Sequence, residues 1–466
     1  MRDPRRLILA TALLALLPAG PGAAGEGEYA AAVKAVQAAT DGKDPGPLAD
    51  ALYGLRSFDG APASRVLLSA GLRREVPDFV LDGAMDAFAE FRSDEAVEVL
   101  VGEASRSKGA LLLHCLEALG RIRNPRAGEA ILGRAEDPDP RIRTAAVRAL
   151  ADGRDPSTAA RAAAERAAAD PDPRVRSAGI DALAGWKASR GALPILARLP
   201  LEGGRLFEDA WRGLLRISGQ NLPPVPEKWA DWWRTFPGEE KWHFDAPPPD
   251  PPRPSLELAG LVTWSRRVVL ALDTSEGMAD APGYRPEAFL PEEVLKEGGK
   301  TLEEWRGIRT RLDHARCRIL RAIAGLPPDA AFDLHFGGET SAAVFRGCEP
   351  ASAAGKDQAS GRLRGLNGRG RQDFLRLVRG ALAGDPEGDP LSPEAFLEGP
   401  DTVVYVGTAL PSFGAEKDTG RILSTLRRWN RVRQVRFLCV GVGNHGSDLL
   451  GGLASLRPVG AASAIE

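Results

Sequence analysis

The feature that most constrains this chain is a turn written twice. Asp137-Pro-Asp-Pro-Arg-Ile-Arg143 recurs 33 residues later as Asp170-Pro-Asp-Pro-Arg-Val-Arg176. Each copy is followed by small residues, Thr144-Ala-Ala-Val-Arg-Ala-Leu150 and then Ser177-Ala-Gly-Ile-Asp-Ala-Leu183. Proline cannot continue a preceding helix but is tolerated in the first turn of the next one. An aspartate at the helix entry accepts hydrogen bonds from the free backbone N–H groups there. Each copy therefore reads as a break between helices, and the Ala-rich faces let neighbouring helices approach closely. A fixed period in the low thirties marks stacked helical hairpins, none of which can bury its apolar face alone.

A looser copy precedes these two: Leu112-Leu-His-Cys-Leu-Glu-Ala-Leu119, with Asn124-Pro125 as its break. The unit resembles short HEAT-type repeats, most clearly over residues 105–200 and weakly before that. An irregular helical bundle is the bland alternative. The resemblance implies an α-solenoid, here over residues 28–220 after a leader at 1–24. Trp211, Trp229, Trp232, Trp233 and Trp242 hold five of the chain's nine tryptophans. The Trp-rich segment 221–245 reads as a cap, since terminal repeats must be atypical; an exposed binding patch is the alternative. Residues 246–255, Ala-Pro-Pro-Pro-Asp-Pro-Pro-Arg-Pro-Ser, read as a stiff linker to a second domain at 256–466.

Arg2, Arg5 and Arg6 precede an apolar run, Leu7–Leu17, and then a small, helix-breaking stretch ending in Gly22-Ala23-Ala24. That is the layout of a secretory signal peptide, and the run is short of the ~20 apolar residues a spanning helix needs. The expectation is an exported chain, periplasmic or extracellular, with no membrane span after cleavage. The formal net charge of −2 gives no global reason to expect nucleic acid as a partner. Cys115, Cys317, Cys348 and Cys439 are scattered without a CxxC pair. They read as small buried hydrophobes, although an even count in an exported chain permits disulfides.

Past the linker the period changes. Arg267–Asp273, Ala331–Phe336, Ala342–Phe345, Asp401–Val406 and Val435–Val442 read as short strands, several of them apolar enough to be buried on both faces. Helical patterns lie between them, near 303–325, 356–366, 372–384 and 416–430. Alternating strands and helices imply a doubly wound, mostly parallel α/β sheet, with ligands at the carboxyl ends of its strands.

At that end of the first strand stands Asp273-Thr-Ser-Glu-Gly-Met278. With the Leu326-Pro327 turn and the Trp429-Asn430 pair, it resembles a von Willebrand factor A domain over about residues 265–460. The resemblance implies a Rossmann-like fold. It also implies a site for Mg²⁺ or Mn²⁺ built on an Asp-x-Ser-x-Ser motif, a Thr and a second Asp. Hard cations need such carboxylate and hydroxyl oxygens. Asp273 and Ser275 match. Gly277 stands where the second Ser is expected, and Gln372, in Arg371-Gln372-Asp373, where the Thr is. Thr408, in Gly407-Thr408-Ala409, stands where the second Asp is. The site therefore reads as degenerate, with no cofactor expected and Asp273 and Ser275 its remaining ligands. The serine and aspartate would otherwise cap the following turn.

A long insertion at 279–303 follows the motif. It carries Tyr284, Glu292 and Glu293 as candidate partner contacts, and reads equally as a structural lid. Gly441-x-Gly443-x-x-Gly446 matches a dinucleotide fingerprint but follows the wrong strand. The five histidines have no metal spacing, and no Ser/His/Asp elbow or P-loop is present. Together these readings give an exported, non-enzymatic scaffold that binds other proteins. The alternatives are a metal-dependent adhesion-type domain using Asp273 and Ser275, or a structural component of the cell envelope.

Overall fold

The computed structural model describes residues 23–122, 124–153, 157–186, 192–235, 250–282, 292–297 and 299–465. The chain forms two compact units, Met1–Gly191 and Ala192–Glu466. Among the described residues no helix is long and apolar enough to cross a membrane.

The first unit is two rows of helices. One row is Gly46–Gly54, Asp78–Phe88, Gly109–Arg121, Pro140–Asp152 and Pro173–Gly185, each packed on the next. The other is Ala61–Leu67, Asp94–Arg106, Pro125–Leu132 and Thr158–Ala167. The repeated turn explains itself in atoms. Asp139 and Asp172 cap their helices by accepting from Arg141 N and Arg174 N, at 2.9 and 2.8 Å. Arg143 folds back onto the carbonyls of Asp137 and Pro138 and forks onto Asp170 of the next turn, with both N–O distances 2.8 Å. Arg176 makes the same fold-back onto Asp170 and Pro171.

The repeats begin well before residue 105, because other residues link the earlier turns. Asp59 accepts from the backbone N–H groups of Arg92 and Ser93 at 2.7 and 2.9 Å, and Asn124 donates to the Arg92 carbonyl at 2.8 Å. Glycine marks close contacts between helices. A Cβ on Gly120 would lie 2.6 Å from the Ala149 carbonyl oxygen, and one on Gly179 would lie 2.5 Å from Ala168 N. Arg148 and Asp181, buried on successive repeats, form an ion pair.

The second unit begins with helices Ala192–Arg198, Gly204–Ser218 and Pro226–Trp233. These pack with the α/β part. Trp229 and Trp233 are buried, and Trp211 meets the Trp264 ring edge-on at 5.6 Å. Trp211 Nε1 and Trp229 Nε1 donate to the carbonyls of Leu222 and Pro223. Trp211 and Trp232 are half-buried; Trp242 and residues 246–249 lie outside the described residues.

A hairpin comes next, β1 (Leu256–Leu258) and β2 (Leu261–Thr263). Ala259 and Gly260 between them have φ of 51° and 77°, as a two-residue turn matching strand twist requires. The main sheet has strands β3 (Arg267–Asp273), β4 (Ala331–Gly337), β5 (Ser341–Ala343), β6 (Glu349–Pro350), β7 (Thr402–Gly407), β8 (Arg436–Val442) and β9 (Ala461–Ile465). Its order is β5-β4-β3-β7-β8-β9, with β6 also on β4. The pairs among β4, β3, β7, β8 and β9 are parallel, and β5 and β6 run antiparallel to β4. Successive residues alternate between two cores: Val268, Leu270 and Leu272 face one, Val269 and Ala271 the other. Helices cover both faces, which is the doubly wound arrangement.

The helix expected over 303–325 is two, Gly299–Arg306 and Arg311–Gly325. A capping box between Thr310 and Asp313 starts the second one afresh. His314, in its first turn, is buried edge-on to Trp305 at 5.4 Å, and burial with the nearby Arg318 holds its pKa down to about 4. The four cysteines are free; Cys115, Cys317 and Cys439 are buried.

Breaking a buried ion pair on one side costs about 3–5 kcal/mol, whereas replacing both partners by apolar groups is often neutral. Asp181→Ala is therefore expected to destabilise the repeats by that amount in urea unfolding. Arg148→Met with Asp181→Leu should recover most of the loss; an additive loss would contradict the pairing.

Candidate functional site

From β3 the chain crosses to β4 on one side, then returns past β3 to β7 on the other. The carboxyl ends of β3 and β7 therefore flank the switch point, where open α/β sheets bind ligands. Asp273 is the last residue of β3, and Thr408 follows the last residue of β7.

Asp273 is fully buried. Its Oδ1 accepts from Ser275 N at 2.8 Å. Its Oδ2 accepts from Thr408 N at 3.1 Å and from Thr408 Oγ1 at 2.7 Å. Burial pushes the carboxyl above its ordinary range, and the bonds from Ser275 and Thr408 pull against that shift. Ser275 and Thr408 are themselves buried.

Gly277 closes the group. A Cβ built on it would stand 3.6 Å from Thr408 Cγ2 and 3.9 Å from both Ser275 Oγ and Thr408 Oγ1. That position has room for a side chain and holds none. Gln372 is brought to the same end of the sheet, but its amide turns to another partner. Its Nε2 donates to Tyr405 Oη at 2.7 Å, and Tyr405 Oη also accepts from Ala409 N at 3.0 Å. Gln372 Oε1 is buried without a partner among the described residues. Burial and the nearby Asp273 charge hold the Tyr405 phenol well above its usual pKa.

Asp273, Ser275 and Thr408 are bonded together with Gly277 beside them, and Gln372 reaches this end of the sheet through Tyr405, which the sequence reading did not single out. Its one signal was a phenol inside an otherwise apolar strand. Asp373 caps the helix Phe374–Ala383 by accepting from Arg376 N. Tyr284 lies outside the described residues; Glu292 and Glu293 fall at the start of the helix Glu292–Glu297. In the glycine-rich loop, Gly443 takes a φ of 61° and Gly446 N donates to the Thr408 carbonyl at 2.7 Å. The loop braces the strand end. Among the described residues no group of three or more His, Cys, Asp or Glu could hold a metal ion.

Three overlapping stretches, 67–151, 97–184 and 129–202, match the HEAT-repeat family. The N-terminal half carries HEAT repeats. No curated protein matches the chain. Among solved structures, a von Willebrand factor type A from Catenulispora acidiphila is similar at 16% identity and a TM-score of 0.29. That match covers 44% of this chain and 40% of the other, so less than half of that protein's length is spanned. A designed armadillo repeat protein, in complex with peptide (KR)4, is similar at 16% identity and a TM-score of 0.27, over 40% of this chain and 98% of that one. The α/β unit itself is a mostly parallel sheet with the Asp273 turn at the carboxyl end of a central strand.

A Cβ on Gly407 would fall 2.2 Å from Asp273 Cβ and 2.8 Å from Tyr405 Oη. Gly407→Ala is therefore expected to destabilise the α/β unit by about 1–3 kcal/mol, as overpacked cores do. Chemical unfolding followed by tryptophan fluorescence would measure it, and an unchanged midpoint would contradict the packing described.

Proposed function

We propose that this chain is an exported, non-enzymatic scaffold that binds other proteins, and that its α/β unit works without a tightly held divalent ion. The HEAT repeats support the first part, since stacked helical repeats build extended binding surfaces. Export rests on the charged, apolar and small-residue layout of residues 1–24.

The second part rests on one observation: both oxygens of Asp273 are already taken by protein donors. A Mg²⁺ or Mn²⁺ site needs several free oxygens, with carboxylate charge among them. Here the Thr408 hydroxyl spends its proton on Asp273, Gly277 offers no oxygen, and the Gln372 amide faces Tyr405. This donor set does not fit the ion. The Thr408 hydroxyl does the bridging a cation would do, tying the end of β3 to the end of β7.

Titration calorimetry tests this reading. Wild-type protein should bind Mg²⁺ and Mn²⁺ no more tightly than about 1 mM, the weak end of what oxygen sites give, and Asp273→Ala should behave the same. Gly277→Ser with Thr408→Asp restores a hydroxyl and a carboxylate and should gain affinity. Micromolar binding by the wild type, lost in Asp273→Ala, would overturn the reading.

A further inference from the structure

The segment Gly361-Arg-Leu-Arg-Gly-Leu-Asn-Gly-Arg-Gly-Arg371 holds four arginines and no acid in eleven residues. Arg362, Arg364, Arg369 and Arg371 are all exposed. The segment runs from the end of the helix Ala353–Arg364 across the carboxyl end of the sheet. There, Arg369 N donates to the Thr274 carbonyl at 2.9 Å and Glu276 N donates to the Gly370 carbonyl at 2.7 Å. It is bonded directly to the Asp273 turn.

Two of these guanidinium groups lie over aromatic rings. Arg371 lies 4.4 Å over Phe413 and Arg362 lies 5.2 Å over Phe336. A guanidinium over a ring keeps its N–H edges for planar, two-pronged acceptors, above all carboxylates. The acids nearby answer only part of this charge. Glu339 pairs with Arg371 at 3.0 Å and Glu304 with Arg364 at 3.3 Å, while Glu276 is exposed on the adjoining turn. Gly368 and Gly370 let the segment lie close on its neighbours: a Cβ on Gly368 would fall 2.8 Å from Ala279 N, and one on Gly370 would meet Glu339 at 3.3 Å.

We propose that Arg362, Arg369 and Arg371 form a carboxylate-recognising surface at the carboxyl end of the sheet, and that its occupant is an acidic segment of a protein partner. The proposal rests on the scaffold reading. It places one contact of that scaffold on a fixed set of protein cations, with no metal between. A nucleic-acid strand would also seek arginines. Here, however, the two aromatic rings that could stack bases, Phe336 and Phe413, lie beneath guanidinium groups instead.

The test uses the full chain and a fluorescein-labelled octaglutamate peptide, with octaglutamine and an eight-residue oligothymidylate as comparisons, read by anisotropy at low salt. Octaglutamate should bind saturably, octaglutamine should not, and 0.3 M NaCl should weaken the complex. Arg362→Gln/Arg369→Gln/Arg371→Gln should weaken binding at least about tenfold, since forked Arg–carboxylate bonds are among the stronger charge-assisted ones. The matching triple lysine variant should recover only part, which separates lost forks from lost charge. Equal binding by the glutamine variant, or tighter binding of the oligothymidylate, would overturn the proposal. Octaglutamate binding that appears only on adding Mg²⁺ would instead overturn the metal-free reading beneath it.

Discussion

A carboxylate buried at the switch point of a parallel sheet has to be answered by something, and Asp273 is that carboxylate. Left alone, it would carry a charge in a site with no water to solvate it, at a cost large enough to unfold the turn or protonate the group. In this chain it is answered by protein. Ser275 N takes one oxygen, and Thr408, through its amide and its hydroxyl, takes the other. The arrangement around it follows. Gly407 must lack a side chain so that Asp273 can pass. Tyr405 must find its own partners, and it finds Gln372 and Ala409. The loops after β3, β7 and β8 are thereby fixed relative to one another, with Gly446 bonded to the Thr408 carbonyl.

The opposite end of the same sheet meets a similar demand with different chemistry. Arg436 opens β8 fully buried, and Glu208 and Asp209 of the helix Gly204–Ser218 pair with it. Burial alone would lower the Arg436 pKa; Glu208, Asp209 and Asp401 outweigh it and hold the guanidinium charged. Thr263 Oγ1 completes Glu208 at 3.0 Å, and Arg205 pairs with Asp209 at 2.9 Å. This cluster explains why residues 192–233 belong to the second unit. A buried arginine cannot lose its carboxylates cheaply, so the helix that supplies them folds with the sheet. The Asp273 bridge at one end and the Arg436 ion pairs at the other thus brace the same sheet at both ends.

What could be read in advance was what local residues decide. The Asp-Pro-Asp-Pro-Arg turn carries its cap, its break and its fold-back within seven residues, so the repeats around it were plain. The earlier turns use Asp59, Ser93 and Asn124 for the same linking work, and no shared spelling marks them. The apolar runs of β3, β7 and β8 were legible, whereas β9 is Ala-Ala-Ser-Ala-Ile and is a strand because β8 offers it a free edge. The Pro-rich stretch drew attention as a boundary, but the ion pair that assigns the helix before it joins residues 209 and 436, and sequence spacing cannot reveal that. At the site, Gly277, Gln372 and Thr408 could be singled out from the sequence. That Thr408 would turn its hydroxyl onto Asp273, and Gln372 its amide onto Tyr405, depends on side-chain direction within the folded loops.

The central claim is that Thr408 and Asp273 bridge the strand ends directly. A double-mutant cycle on stability measures this interaction itself, with Asp273→Ala, Thr408→Val and the pair unfolded in urea. A charge-assisted bond of this kind should appear as a coupling of about 1.5–3 kcal/mol, unchanged between EDTA and added Mg²⁺. Additive single effects in EDTA, with coupling that emerges only when Mg²⁺ is present, would mean that a cation makes the bridge and would contradict the account.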